Sequence, residues 1–339
     1  MLSIVVTIYN GEPYIERCLN AIFKQTFKDY EVICVDDGST DNSYQLLNKF
    51  KRQNMKVIRT ENRGVWYARK EGIRMAGGDW IGFVDCDDAI MQDMYSDMME
   101  RVVKQPDIDM VVCGFKKVDA LSEKVFSVQM VGFGDRIIDV KTNKEILAAV
   151  NPSMCNKIFR THLVRHSIEL EQAPRIMEDL ILIGSIFPLL HNVAFCSRPY
   201  YLYYDNRGSA TKCISVKDLD HAKSAILSLK QYYENTAQEN RDLLNLLAVV
   251  HVGVAFTINI NQYEKEESVY SVWQNVLNFL DTDFSGWRRN ALVSLGHSIR
   301  WRQLGKVYLI YNLFRTKLFL AFVWIYHFAV TKLKIDIRW

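Results

Sequence analysis

The stretch LSIVVTIYNGEPYIERCLNAIF, residues 2–23, sets the pattern for the first third of the chain. An unbroken apolar run, LSIVVTI, ends at the polar segment YNGE, and apolar residues then recur at helical spacing as far as Phe23. An apolar run without alternation is typical of a strand buried on both faces. The stretch therefore predicts a strand, a loop and a helix, which is the repeating unit of a doubly wound α/β sheet.

The same unit recurs along the chain to about residue 115. Further strands are predicted at EVICV, MKVIR, DWIGFV and DIDMVVCGF, with an amphipathic segment between successive strands. Ligands of such sheets bind beyond the carboxyl ends of the strands. Three polar loops, TIYNGE, DDGST and DCDD, are predicted to converge at that edge.

Composition and motifs narrow the function classes. The chain has 339 residues, long enough for one large domain or two smaller ones, and its composition is 49% hydrophobic and 24% charged. The seven cysteines stand singly, without a C-x-x-C pair, which favours reduced thiols over disulfides or zinc. No secretory signal is readable, so we expect a cytoplasmic protein, and a net charge of +3 gives no indication of a nucleic-acid partner. The absence of G-x-G-x-x-G and G-x-x-x-x-G-K-[ST] motifs disfavours dinucleotide oxidoreductases and P-loop ATPases.

The stretch FVDCDDAI, residues 83–90, places Asp85, Asp87 and Asp88 behind an apolar run. Carboxylates crowded this closely repel each other unless a cation lies between them. One interpretation is a solvated turn and a helix cap, for which Asp88 or Asp93 would suffice. The other is a divalent-metal site at the carboxyl edge of the sheet.

Taken in order, three segments resemble the nucleotide-sugar-binding half of the inverting glycosyltransferases of family 2, which have the GT-A fold. They are SIVVTIYNGEPYIERCLNAIFKQTFKDYEVICVDDGSTDNS, ENRGVWYARKEGI and GDWIGFVDCDD. The resemblance implies that Asp87 ligates Mn²⁺ or Mg²⁺, which suits oxygen ligands and stabilises a departing nucleoside diphosphate. It places Asp85 near the ribose and diphosphate, with Asp88 as a third member or as a cap of the next helix.

The resemblance also implies a nucleotide-binding set. Tyr9 would stack on a uracil ring, Asp37 would accept the uracil N3 proton, and Arg69 would bind the base or a phosphate. The alternative is that Tyr9 packs and Asp37 organises its turn. The full predicted set is Thr7, Tyr9, Asn10, Glu12, Asp37, Asn62, Arg69, Asp85, Cys86 and Arg207.

Inversion at the anomeric carbon needs a general base that deprotonates the acceptor hydroxyl. The family commonly places this aspartate in an E-D pair that opens a helix, and the matching stretch is PRIMEDLILIGSIF, residues 174–187. Asp179 is therefore the predicted base, with Glu178 as its neighbour. The alternative is negative charge that the helix dipole favours in a first turn. Arg207 follows on a loop that either closes over the diphosphate or is plain surface.

The C-terminal third is predicted to be helical. Its apolar run from Leu318 to Val330 is shorter than the roughly 20 residues that span a bilayer, and Lys317, Lys332 and Lys334 flank it. This pattern indicates peripheral membrane contact through residues 305–339, or else burial against the catalytic domain or a sister subunit of a homo-oligomer. Three regions are predicted: a nucleotide-sugar half at 1–115, an acceptor half with the base at 116–215, and a helical region at 216–339.

These expectations combine into one reaction. The chain is predicted to be an α/β protein of mainly parallel, GT-A type sheet that moves a sugar from a UDP-sugar or other nucleotide-sugar to a hydroxyl of a glycan or lipid-linked glycan. The setting would be polysaccharide biosynthesis at the inner face of a bacterial membrane. Two alternatives stay open: a nucleotidyltransferase, which would consume a nucleoside triphosphate, and a catalytically silent subunit that binds nucleotide-sugar.

Overall fold

The structure, a computed structural model, describes residues 1–167, 176–205, 215–260 and 268–331. Within these residues a ten-stranded sheet runs in the order β3-β2-β1-β4-β9-β6-β10-β5, with β7 beside β6 and β8 beside β10. The strands are β1 (Leu2–Ile8), β2 (Tyr30–Asp36), β3 (Met55–Arg59), β4 (Trp80–Asp85), β5 (Ala89–Ile90), β6 (Ile108–Asp119), β7 (Val125–Gln129), β8 (Arg136–Asp139), β9 (Lys157–Arg160) and β10 (Asn192–Asp205).

The predicted α/β class is confirmed, but the sheet is more mixed than predicted. Strands β3, β2, β1 and β4 are parallel neighbours, and β6 is parallel to β10. Strand β9 is antiparallel to both β4 and β6, and β5, β7 and β8 also pair antiparallel. The reason is clear for β7, because only a short turn separates it from β6 and a short connection permits only an antiparallel return.

Among the described residues of the first unit, five α-helices accompany the sheet: α1 (Ile15–Phe23), α2 (Ser43–Lys49), α3 (Val65–Met75), α4 (Met94–Lys104) and α5 (Thr161–Ser167). Helix α1 buries Ile15, Cys18 and Ile22, which recur at helical spacing. Helix α3 lies directly on β1. The approach is so close that a Cβ added at Gly72 would come within 2.3 Å of Val5 Cγ1. This close approach fixes the distance between the sheet and α3, the helix that carries Arg69.

The chain divides into two compact units. The first comprises Met1–Asp139, Pro152–Ala173 and Leu189–Asn206 and contains the whole described sheet, and the second comprises Val140–Asn151, Pro174–Pro188 and Arg207–Trp339. Three segments of the predicted acceptor half, 140–151, 174–188 and 207–215, thus belong to the second unit. The predicted boundaries at residues 115 and 215 stay a prediction.

The described part of the second unit is helical, as predicted. Its helices are α6 (Glu178–Ile186), α7 (Leu219–Thr236), α8 (Arg241–Leu247), α9 (Thr257–Asn259), α10 (Val269–Asp283), α11 (Leu295–Arg300), α12 (Leu304–Phe314) and α13 (Leu318–Thr331), with a π-helical segment at Ala248–Phe256. One continuous helical stretch, Gln238–Asn259, is long and apolar enough by length and composition to cross a membrane. However, 72% of its apolar window is buried inside the protein, as in a core helix.

Candidate active site

The three polar loops predicted to converge do so at the carboxyl ends of β1, β2 and β4. Strand β1 lies between β2 and β4, with Ile8 opposite Asp36 and Thr7 opposite Asp85. The main-chain N–H of Asp37 donates to the carbonyl of Ile8 at 2.8 Å, so the first two loops start in contact. Parallel pairing alone brings these ends to one edge.

Side chains tie the first loop to the second. The Asn10 side-chain oxygen accepts from the main-chain N–H of Thr40 at 2.8 Å, and the Glu12 carboxylate accepts from the main chain and side chain of Asn42. Asn10 has a φ of 48°, in the left-handed region that asparagine tolerates better than most residues. Asn10 and Glu12 therefore hold the two loops together, and their direct contact with a nucleotide stays a prediction.

Asp37 organises the second loop. Its buried carboxylate accepts from the main-chain N–H groups of Gly64 at 2.7 Å and Arg63 at 3.0 Å. Gly38, at a φ of +68°, lets the turn press against the next loop, since a Cβ there would lie 2.7 Å from the nitrogen of Asn62. The alternative interpretation of Asp37 as a turn organiser thus describes an observed role. A carboxylate has about four lone-pair positions, so acceptance of a base proton remains compatible with it.

Tyr9 stands at the mouth of the site. Its side chain is 51% exposed, so its ring is accessible to a stacking base. Thr7, the last but one residue of β1, is partly exposed beside it, and Asn62 is exposed on the loop that faces Gly38. All three residues are at least partly exposed, and their contact with a nucleotide stays a prediction.

Asp85 is neutralised from within the protein. Arg69, buried on α3, lies with Nη2 3.2 Å from Asp85 Oδ1, and the Cys155 thiol donates to Oδ2 at 3.2 Å. A buried guanidinium needs a hydrogen-bonded carboxylate partner, because its desolvation would otherwise be costly. Arg69 therefore meets Asp85 directly, and its contact with a base or phosphate stays a prediction.

Asp88 faces β10. Its carboxylate accepts from the hydroxyl of Tyr201 at 2.6 Å and from the main-chain N–H of Tyr204 at 2.9 Å. It does not cap the next helix, because α4 begins at Met94. Burial, together with the charges of Asp85 and Asp87, raises the pKa of Asp88 well above its usual range. Two donors from β10 thus accommodate a carboxyl group that is only 1% exposed.

Residues Asp85–Asp88 form a turn after β4, and Asp87, which is partly exposed, lies at its corner. The N–H of Asp88 donates to the carbonyl of Asp85 at 3.0 Å, which closes the turn, and the guanidinium of Arg17 donates to the carbonyl of Asp87. Arg17 in turn lies 3.7 Å from the centroid of the Tyr204 ring. The turn is therefore fixed between α1 and β10, and Asp87 is presented on it.

Cys86, the middle residue of the triplet, points its sulfur toward the first loop. A Cβ added at Gly11 would come within 2.8 Å of Cys86 Sγ. Burial raises the pKa of the Cys86 thiol. The sulfur thus packs under the loop that carries Tyr9 and Asn10. Contact of Cys86 with a nucleotide-sugar stays a prediction.

A divalent cation at this site would depend on few protein ligands. Among the described residues, no three His, Cys, Asp or Glu side chains are grouped so as to hold a metal ion. Arg69 pairs with Asp85, donors from β10 bind Asp88, and Asp87 is partly exposed just beyond the carboxyl end of β4. This arrangement fits Mg²⁺ or Mn²⁺, because Mg²⁺ is usually bound by one or two carboxylates together with substrate phosphates and water.

The predicted base lies in the second unit. Asp179 is the second residue of α6, partly exposed, in a first turn that also holds Glu178. Met177, directly before the helix, has a φ of 63°, a left-handed conformation that is uncommon for a residue other than glycine. The predicted contact of Arg207 lies outside the described residues.

Sequence reasoning missed the side chains that support the aspartates. Arg17, Tyr201, Tyr204 and Cys155 surround the turn from α1, from β10 and from the residues before β9. One signal was readable: Arg17 lies next to the buried positions Ile15 and Cys18, at the border of the apolar face of α1. Nothing in the local pattern indicated the other three.

The comparisons with known proteins agree with this geometry. A protein-family model, Glycosyl transferase family 2, matches residues 3–167. The uncharacterized glycosyltransferase EpsJ of Bacillus subtilis (strain 168) is 29% identical over 220 residues, which is 62% of this chain and 63% of EpsJ. The poly(ribitol-phosphate) beta-N-acetylglucosaminyltransferase TarS of Staphylococcus aureus (strain Mu50 / ATCC 700699) is 28% identical over 239 residues, 68% of this chain and 38% of TarS. The matched part thus covers less than two thirds of either relative.

Solved structures give the same fold. TarS 1–349 of S. aureus, in complex with UDP-GlcNAc, superimposes on 97% of this chain and 86% of its own, with a TM-score of 0.58 and 21% identity. The mannosyltransferase PcManGT of Pyrobaculum calidifontis, in complex with GDP-Man and Mn²⁺, covers 98% of this chain and 88% of its own, with a TM-score of 0.52 and 15% identity. At these identities the likeness carries the GT-A fold.

Proposed function

We propose that this chain, whose residues 3–167 match the model of glycosyl transferase family 2, transfers a sugar from a nucleotide-sugar to a hydroxyl group of an acceptor glycan. The observation that carries the proposal is the turn Asp85–Asp88. It is fixed by α1 and β10, and it presents Asp87 at the sheet edge where the loops of Tyr9 and Asp37 also end. In open α/β sheets this edge is where ligands bind.

The donor is a UDP-sugar. The exposed ring of Tyr9 would stack on the uracil, and Asp37 would accept its N3 proton with the lone pair that its own loop leaves over. The complex of TarS with UDP-GlcNAc supports this nucleotide. The complex of PcManGT with GDP-Man makes a guanosine donor the alternative to be tested against it.

Asp87 would hold Mn²⁺ or Mg²⁺, with the diphosphate of the donor supplying further oxygen ligands. When bound, such an ion supplies positive charge that stabilises the departing nucleoside diphosphate. The protein's own contribution is to fix the main chain at Asp87 and to pair the Asp85 carboxylate with Arg69. Arg17, which donates to the carbonyl of Asp87, fixes the main chain at that corner.

Asp179 is the general base of a single displacement with inversion. As the acceptor oxygen forms its bond to the anomeric carbon, the bond from that carbon to the diphosphate breaks, and the acceptor proton passes to the Asp179 carboxylate. The E-D pair at the start of α6 and the left-handed backbone of Met177 directly before it support this assignment. Residues held in sparsely populated backbone conformations cluster at functional sites.

The acceptor is a hydroxyl of a surface polysaccharide or of its lipid-linked precursor, and the reaction takes place in the cytoplasm at the inner face of the bacterial membrane. The similarity to TarS, a poly(ribitol-phosphate) beta-N-acetylglucosaminyltransferase, supports a polymeric acceptor. This chain matches 63% of EpsJ and 38% of TarS, so the acceptor is to be identified by experiment.

The test is nucleoside diphosphate release from a panel of UDP-sugars and GDP-mannose, with Mn²⁺, with Mg²⁺ and after chelation. Release from one donor should require metal and fall at least a hundredfold in Asp87→Asn. The control Asp220→Asn, at a side chain that is 92% exposed, should match wild type. Release of pyrophosphate from a nucleoside triphosphate would indicate a nucleotidyltransferase, and donor binding without turnover would indicate a silent subunit.

A second variant tests the base. Asp179→Asn should bind the donor as wild type does in calorimetry, while transfer to acceptor falls by about 10²–10⁴, the usual contribution of general-base catalysis. The neighbouring variant Glu178→Gln should retain most of the activity. Normal turnover by Asp179→Asn would remove the assignment and leave the donor site unaffected.

A further inference from the structure

Helix α13 exposes an apolar face. Leu318, Trp324, Ile325 and Phe328 are 65%, 70%, 57% and 47% exposed, and with the exposed Ala321 they occupy one side of the helix. The rings of Trp324 and Phe328 stack with their centroids 5.9 Å apart. We call these five residues the α13 outer face. It carries no charged side chain.

The opposite side of α13 is packed in the second unit. Phe319, Val323 and Tyr326 are buried, and the Phe319 ring meets Phe314 of α12 edge to face at 4.9 Å. The imidazole of His327 is 2.9 Å from the carbonyl of Ile258. Because its inner side is held this way, the helix has a defined orientation and keeps the α13 outer face toward solvent.

The charged residues around the α13 outer face are all basic. Residues 284–331 contain seven Lys and Arg and no Asp or Glu, whereas residues 1–283 contain 32 Lys and Arg and 38 Asp and Glu. Arg315 and Lys317 are exposed directly before α13, and Lys332 and Lys334 follow it in the sequence. A basic, apolar segment is thus attached to a net acidic remainder.

We propose that the α13 outer face docks on the surface of a bilayer that contains anionic lipid, with Trp324 and Phe328 inserted at the level of the headgroups. Lys and Arg near such a surface are attracted to its negative potential. Helix α13 has 14 residues, about 21 Å at 1.5 Å per residue, which is too short to cross a hydrocarbon core of about 30 Å. It therefore lies in the interface, and this inference does not depend on the proposed sugar transfer.

A second copy of the chain fits this face less well. In a two-fold dimer the same patch would meet itself, so two segments that each carry seven Lys and Arg and no Asp or Glu between residues 284 and 331 would come together. Like charges brought together in this way oppose association. Anionic headgroups would instead pair with them.

Vesicle flotation tests the proposal. The whole chain should float with vesicles of phosphatidylcholine and phosphatidylglycerol, and should float far less with phosphatidylcholine alone or in high salt. Trp324→Ser combined with Phe328→Ser should reduce the bound fraction at least tenfold. The control Val103→Ser, at an apolar side chain that is 75% exposed in the first unit, should bind as wild type does.

The remaining variants separate the outcomes. Arg315→Gln with Lys317→Gln should remove the preference for phosphatidylglycerol while the residual binding to neutral vesicles persists. Circular dichroism and thermal melting verify that each variant folds. The proposal is overturned if wild type does not float, if the serine double variant floats equally well, or if light scattering shows a dimer that this variant dissociates. Nucleoside diphosphate release, measured without vesicles, reports on the proposed function separately.

Discussion

The substitution Tyr201→Phe tests how the aspartate turn is held. The Tyr201 hydroxyl donates to Asp88 Oδ2 at 2.6 Å and accepts from the N–H of Asp85 at 3.3 Å. Both Tyr201 and Asp88 are buried. Removing one oxygen atom therefore leaves the N–H of Tyr204 as the remaining described donor to the Asp88 carboxylate, and a space too small for a replacement water.

The expected cost follows from this burial. Leaving a buried polar group with an unsatisfied bond costs about 1–3 kcal/mol, and more for a charged group. In a domain of 150–250 residues each kcal/mol lowers Tm by about 2–4 °C, so we expect Tyr201→Phe to lower Tm by several degrees. Loss of the bond to Asp85 should also loosen the turn and raise the Mn²⁺ concentration that gives half-maximal nucleoside diphosphate release.

A matched control exists in the same unit. Tyr95 on α4 is fully buried, and within the part of the chain that the structure describes its hydroxyl has no hydrogen-bond partner. Tyr95→Phe removes the same atom from a site where it is unsatisfied, so the free energy of unfolding should stay constant or rise. The two identical substitutions should thus have opposite or clearly unequal effects.

Urea unfolding followed by circular dichroism, together with a metal titration of nucleoside diphosphate release, gives both quantities. The reasoning is refuted if Tyr201→Phe is as stable as wild type with an unchanged metal requirement. It is also refuted if Tyr95→Phe loses as much stability as Tyr201→Phe, because the cost would then come from packing rather than from the bond to Asp88.

Three further predictions use other contacts. Gly72→Ala should lower the free energy of unfolding by about 1–3 kcal/mol through overpacking against β1. Gly305→Ala on α12, where an added Cβ would meet nothing within 4 Å, should raise it by about 0.5–1 kcal/mol. Equal effects of the two substitutions in urea unfolding would contradict the close packing of α3 on β1. Burial lowers the pKa of His251 from 6.5 to about 4, so the unfolded chain binds more protons there, and stability should be complete above pH 6.5 and fall toward pH 4. His251→Gln should flatten that pH dependence, and an unchanged slope would exclude this residue. Arg17→Met should raise the half-saturating Mn²⁺ concentration about tenfold with little change in kcat at saturating metal, because Arg17 holds the carbonyl of Asp87; an unchanged requirement would show that α1 does not position Asp87.

The fold and the location of the site could be predicted because their signals are local. Unbroken apolar runs such as LSIVVTI separated by helical periodicity predict parallel strands, and parallel strands place their loops at one edge. The family resemblance, confirmed by the family model over residues 3–167, implied that this edge binds a nucleotide-sugar. It did not indicate how each polar side chain is used there.

What escaped prediction depends on contacts between distant residues. Asp88 is 113 residues from Tyr201, and no local pattern says that a tyrosine of β10 meets a carboxylate after β4. The same holds for Asn10 and Glu12, whose partners lie about 30 residues away in the second loop. The crowding of Asp85, Asp87 and Asp88 predicts a shared cation, but it did not indicate that Arg69 pairs with Asp85 or that β10 supplies donors to Asp88.

The late position of β10 in the chain has a consequence for synthesis. Residues 3–167 end before β10 begins, so a fragment with these limits lacks both tyrosines that bind Asp88 and the strand that pairs with β6. On the ribosome the turn is made by residue 88, but its last partner strand is complete only at residue 205. At about 5–20 residues per second this interval lasts roughly 6–23 s. During that time the nascent sheet exposes the edge of β6, and a chaperone that shields this edge should raise the yield of folded protein.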